Sequence, residues 1–125
     1  MAPGTWPAMQ DCDNKLRLAP RLRALPRRRV FGCEVAVATG FRARLLGLGG
    51  LSHGAAGTGL LIPRCSSVHT FGMRFALDLV FLDGDGRALA VRRGVRPGRL
   101  IWHRGARAVL EIPSPPGESP RAAGT

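Results

Sequence analysis

The segment CSSVHTFGMRFALDLVFLDGD, Cys65 to Asp85, joins a cluster of soft side chains to the most strand-like apolar run of the chain. Leu77 to Asp83, LDLVFLD, is rich in branched and aromatic residues, long enough for a strand and too short for a helix. Asp83-Gly84-Asp85-Gly86 follows with short polar residues and glycines that tolerate positive φ, and Ala88 to Val91 is apolar again. The two runs are expected to pair as an antiparallel hairpin. A calcium loop would need a further acceptor and a closing glutamate where Arg87, Arg92 and Arg93 stand, so the turn is read as a turn.

Upstream, Cys65, His69 and Met73 recur every fourth residue and are soft or borderline ligands for copper or zinc. Four residues of strand span ~13 Å, too far for one ion or for a Cys-His hydrogen bond. A helical turn would close that gap, but Ser66, Ser67, Val68, Thr70 and Gly72 make a poor helix. A shared site therefore needs a bend at Cys65-Ser66-Ser67. Without one, Cys65 and Met73 are buried filler and His69 bonds backbone at a strand end, and no metal is assigned. Asp78 lies between Leu77 and Leu79, on the face that alternation gives to Val80 and Leu82. A carboxyl there must be bonded or neutral. Loop amides, Arg74 or a site shared with His69 would each satisfy it.

The 125 residues fit one domain with a modest core. Formal charge is +11 and the pI near 11.7, with all but one of the 19 basic residues arginine, so a general attraction to polyanions is expected. Residues 1–29 are broken by Pro3, Pro7, Pro20 and Pro26 and read as a basic, disordered extension whose Arg27-Arg28-Arg29 could touch phosphates. No apolar run reaches signal-peptide or membrane-span length, which points to a cytoplasmic protein. The three cysteines are odd in number and form no CxxC pair, which suits reduced thiols.

Val30 to Ala38, VFGCEVAVA, reads as a first strand, then a short helix over about Gly40 to Leu46 capped by Thr39 and ended by Gly47, Gly49 and Gly50. GLGGL follows a helix and lacks the phosphate-loop patterns, so it is a turn. Gly59 to Ile62 is a short buried strand before Pro63, and Ala106 to Ile112, ARAVLEI, a last one with Glu111 facing away from Leu110. Arg92, Arg93, Arg96 and Arg99 crowd a loop, with Trp102 as a partly buried lid. Residues 113–125 read as a disordered tail.

The order RLLGLGGL, then GLLIPRCSSVHTFGMRFALDLVFLDGDGRALAV, then RPGRL and AVLEI resembles the domain of unknown function 192 family, small bacterial and archaeal proteins, over about residues 33–112. The resemblance implies a compact, mostly β domain and singles out Arg44, Gly47, His69, Met73, Asp78, Pro97 and Glu111. It brings no reaction with it. Gly49 stands where family members usually have methionine and Ala76 where proline is common. Members continue past the LE strand through a small helix and a strand, which PSPPGESPRAAGT does not match, so an exposed sheet edge is expected.

These readings give an α+β, predominantly antiparallel and barrel-like domain over 30–112, lacking that last strand. Its leading expected role is binding of a ligand or protein partner in a pocket near His69, Met73 and Asp78, joined by Arg44 and Glu111, with no cofactor specified. The alternatives are a hydrolase-like or redox enzyme using Cys65, His69 and Asp78, and weak non-specific nucleic-acid binding through the arginines.

Overall fold

The computed structural model describes residues 18–115. The expected hairpin is present: β5 (Leu77–Leu82) runs antiparallel to β6 (Ala88–Val95). Asp83 closes the turn between them, its Oδ1 accepting the backbone N–H groups of Asp85 and Arg87 at 2.8 and 3.0 Å. Those charge-assisted bonds hold the Asp83 carboxyl below its ordinary value, the Arg87 amide being the largest cause.

The stretch 30–38 is not one strand. Phe31 and Gly32 have φ of 49° and 82°, and this two-residue turn separates β1 (Arg27–Val30) from β2 (Cys33–Val37), which pair antiparallel. Positive φ at both central residues matches the right-handed twist of the flanking strands, and glycine at the second position bears it at little cost. β2 then pairs parallel with β3 (Leu60–Pro63). A parallel neighbour needs a long crossover, and residues 38–59 supply it with α2 (Phe41–Leu46) and a 3-10 turn at Gly54–Ala56. Gly40, not Thr39, stands at the N-cap of α2, with no side-chain cap bond.

β8 (Ala108–Pro113) lies between β3 and β5, so the main sheet runs β1-β2-β3-β8-β5-β6, antiparallel except at β2/β3. It is mostly β with short helices, as expected, but it is not closed into a barrel: β1 and β6 are its edges. A second sheet pairs β4 (Ser67–His69) with β7 (Leu100–Trp102).

Alternation along β5 and β8 separates two cores. Leu77, Leu79, Phe81 and Val109 face Leu22, Leu48, Val68 and Met73, which α1 (Pro20–Arg23), the α2 turn and β4 lay over the sheet. Val80, Leu82, Leu110 and Ile112 face the other way, with Val35, Val37 and Leu61. The basic segment before residue 30 enters this fold. Leu18, Ala19 and Leu22 are buried, and Arg21 donates to the carbonyls of Gly47 and Gly49 at 3.0 and 2.8 Å. The expected disorder of residues 1–17 and 116–125, and the missing last strand, lie outside the described residues, while Pro113 and Ser114 are buried parts of the fold. Cys65 is a free thiol and Cys33 is disulfide-bonded, which corrects the expectation of reduced cysteines there. Among the described residues no helix is long and apolar enough to cross a membrane.

Candidate functional site

A cleft of about 430 Å³ opens where the C-terminal turn of α2 meets β4 above the sheet. Arg44, Gly47, Cys65, His69, Met73 and Glu111 all line it. Four of the five expected binding residues therefore share one hollow: Arg44, His69, Met73 and Glu111.

The chain does bend at Ser66, but a second bend brings Met73 to the cleft that His69 lines. Extended structure ends at His69, and the chain reverses over Thr70 to Met73, with Gly72 at φ 80° and the Met73 N–H donating to the Thr70 carbonyl at 3.2 Å. Thr70 anchors this reversal. It is fully buried, its hydroxyl donates to the Arg96 carbonyl and accepts the Arg99 N–H, both at 2.8 Å, and its backbone N–H donates to the Arg99 carbonyl. Nothing in the sequence marks Thr70 above its neighbours, because its partners come from the loop after β6. Thr70→Val keeps the shape and leaves buried main-chain groups without a partner, so it is expected to cost about 2 kcal/mol. Urea unfolding checks this, and an unchanged midpoint would remove the anchoring role.

Glu111 sits at the floor of the cleft. On β8 it shares a face with Val109 and lies opposite Leu79, so its carboxyl points up among the residues over the sheet and is 3 % exposed. Gly47 crosses above it at φ 53°, and a Cβ there would come within 3.1 Å of Glu111 Oε1, so glycine suits this position on both counts. Burial pushes the Glu111 carboxyl up to about 7, partly offset by the backbone amide of Leu48, which hydrogen-bonds it. Oε1 has no partner, nor does the buried Nδ1 of His69, whose ring stacks on Phe71 at 5.4 Å. Two residues that line one hollow thus each carry an orphaned buried polar atom.

Arg44 acts on the frame of the cleft. Its guanidinium donates to the carbonyls of Pro63 and Arg64, holding α2 to the end of β3 where Arg64 kinks the chain at φ 50°. The Cys65 thiol donates to the Ser67 carbonyl at 2.8 Å, and no Cys65-His69 bond forms. Among the described residues no group of three or more His, Cys, Asp and Glu side chains could hold a metal ion.

Asp78 is elsewhere. It pairs with Ile112 on β8 and points to the opposite face, so the sheet stands between its carboxyl and the cleft. Its Oδ1 accepts the Gly94 N–H at 2.9 Å and the Ser114 hydroxyl at 2.8 Å. The β5/β6 register shifts between Leu77 and Leu79, and Asp78 takes the amide that this irregularity frees. A backbone amide does satisfy Asp78, but it belongs to strand β6 and not to a loop, and the neighbourhood with His69 does not form. Trp102, expected as a lid, is 67 % exposed.

Comparisons with known proteins agree with this architecture. Residues 26–116 match the model of the DUF192 family, described as Uncharacterized ACR. No curated protein matches the chain. A protein of unknown function from Novosphingobium aromaticivorans superposes with TM-score 0.53 at 20% identity, over 63% of this chain and 61% of that one, so the chain spans less than two thirds of that relative. A Sinorhizobium meliloti protein described as a candidate transcription regulator superposes with TM-score 0.58 at 23% identity, over 65% of this chain and 68% of the other. At these identities the likeness is one of fold.

Proposed function

This chain belongs to the domain of unknown function 192 family, and we propose that it is a binding module whose ligand occupies the cleft between the α2 turn and β4. The supporting observation is that two residues lining one cavity, His69 and Glu111, each carry a buried polar atom without a partner, Nδ1 and Oε1. A buried polar atom without a partner costs about 1–3 kcal/mol, which a ligand carrying hydrogen-bonding groups would recover. Leu48, Ile62 and Met73 give the same hollow apolar walls, the usual mixture in a small-ligand site. Arg44 and Gly47 shape the cleft, and Asp78 stabilises the sheet beneath it.

Acetamide, which carries one donor group and one acceptor, is the minimal probe. Titrated into the protein, it is expected to shift the amide resonances of Gly47, Leu48 and His69 saturably, and Glu111→Leu, an apolar replacement of similar size, is expected to abolish the shift while the rest of the spectrum is kept. Shifts that never saturate, or that survive Glu111→Leu, would reject the cleft as the binding site.

A second reading, polyanion binding, draws on the exposed Arg27, Arg28 and Arg29 of edge strand β1 and the formal charge of +11. Its affinity for a random-sequence oligonucleotide would fall steeply with salt and be indifferent to Glu111→Leu.

A further inference from the structure

Five consecutive residues, Cys65 to His69, line the cleft. Successive side chains of a strand alternate faces, and Val68 indeed packs into the core, so a hollow touched by all three residues of β4 lies along its edge. The other edge is occupied by β7. There His103 donates its N–H to the Ser66 carbonyl at 2.9 Å and Thr70 donates to the Arg99 carbonyl at 2.8 Å. Antiparallel ladders alternate, so Ser66, Val68 and Thr70 turn their backbone groups toward β7 while Ser67 and His69 turn theirs toward the cleft. The Cys65 thiol occupies the Ser67 carbonyl. Among the described residues the Ser67 N–H and both main-chain groups of His69 have no backbone partner on that side.

We propose that the occupant of the cleft is an extended polypeptide segment, which adds to the open edge of β4 as a third strand and inserts a neutral hydrogen-bonding side chain, an amide or hydroxyl, toward Glu111 and His69. This deepens the binding reading above and rests on it. An unpaired edge offers a row of donors and acceptors at strand spacing, which only another main chain matches in register. The hollow beside it supplies selection: alternate side chains of an added strand face the same way, and one of them meets the two orphaned atoms. A carboxylate there would face Glu111, which disfavours acidic insertions, while Arg44 and the exposed Arg64 at the rim disfavour cationic ones.

A phage library of random short peptides, panned on the full chain, is expected to enrich sequences with Asn, Gln, Ser or Thr at one fixed position. Synthetic copies of the enriched peptide then carry single backbone N-methyl groups. Methylation at the one residue whose N–H meets the His69 carbonyl should weaken binding roughly tenfold, the effect of one lost main-chain bond with its partner stranded, and methylation at the other positions should change it less than twofold. Ser67→Pro, which deletes an edge N–H outside the β4/β7 ladder, should weaken the same peptide; if that variant does not fold, the N-methyl scan decides alone. No enrichment, or equal tolerance of N-methyl groups at all positions, overturns the proposal. So does sedimentation showing a dimer that Ser67→Pro dissociates, since a second copy then fills the edge. Saturable, Glu111-dependent acetamide binding together with failed peptide selection would overturn the strand addition alone, whereas loss of both removes the pocket reading as well.

Discussion

Asp78→Ala is expected to lower the unfolding free energy by about 4 kcal/mol, a fall in Tm of roughly 15 °C or more for a domain of this size. The estimate follows from what the carboxyl holds. Two donors, the Gly94 N–H and the Ser114 hydroxyl, end on one oxygen of a residue that is 3 % exposed. Removing the acceptor strands both, and each costs about 1–3 kcal/mol, because Gly94 and Ser114 are both buried. Ser114→Ala removes one donor with its bond and should cost about 1 kcal/mol, so the double variant should show a coupling of about 1 kcal/mol or more. Acetamide binding is the second readout. With the sheet between Asp78 and the cleft, Asp78→Ala studied well below its lowered Tm should still give saturable shifts at Gly47 and His69. A variant that keeps its Tm and loses the probe would return Asp78 to the site.

The reasons Asp78 could not be placed from its own neighbourhood apply to the rest of the fold. Local chemistry was legible: LDLVFLD followed by Asp83-Gly84-Asp85-Gly86 dictates β5, its turn and β6, because alternation and turn residues act within a few positions. Non-local chemistry was not. The carboxyl of Asp78 answers an irregularity set by the register of β6, which no feature of LDL announces. The β2/β3 pair is parallel because the crossover carrying α2 returns on the same side, a choice made by packing. Phe31-Gly32 breaks an apolar run that alternation carries straight through, since an aromatic residue seldom accepts φ of 49°. Spacing alone placed Cys65 and Met73 too far apart, and the reversal at Thr70 to Met73 brings them to one hollow. The likeness to a family marked His69, Met73, Arg44 and Glu111 together, and only the coordinates separate the frame-holding Arg44 from the two residues with orphaned atoms.

Glu111 has the other large expected effect, and it depends on pH. Its carboxyl rises from an ordinary 4.5 to about 7 in the folded chain, chiefly through burial. The folded state therefore holds its proton more tightly than the unfolded state, so between those two values the native chain binds more protons and stability falls as pH rises. The contribution is fully present below about pH 4.5 and is gone above about pH 7, a loss of about 3 kcal/mol from this one group. Unfolding free energies of the wild type and Glu111→Gln, measured from pH 4.5 to 8, should diverge by that amount, with the variant the flatter of the two. Taking the difference cancels what Arg44, Arg64, Cys65 and His69, which line the same cleft, contribute in both proteins. Parallel curves would mean that the carboxyl already has a partner and that its orphaned oxygen is not available to a ligand. Acetamide extends the test to binding. An N–H donated to Oε1 favours the charged form and lowers the folded-state value, so a fixed concentration of the probe should stabilise the protein more at pH 8 than at pH 5. The opposite order would mean that the ligand accepts a hydrogen bond from the protonated Glu111 carboxyl instead of donating one to the carboxylate, which reverses the polarity of the side chain sought at the inward position of the peptide.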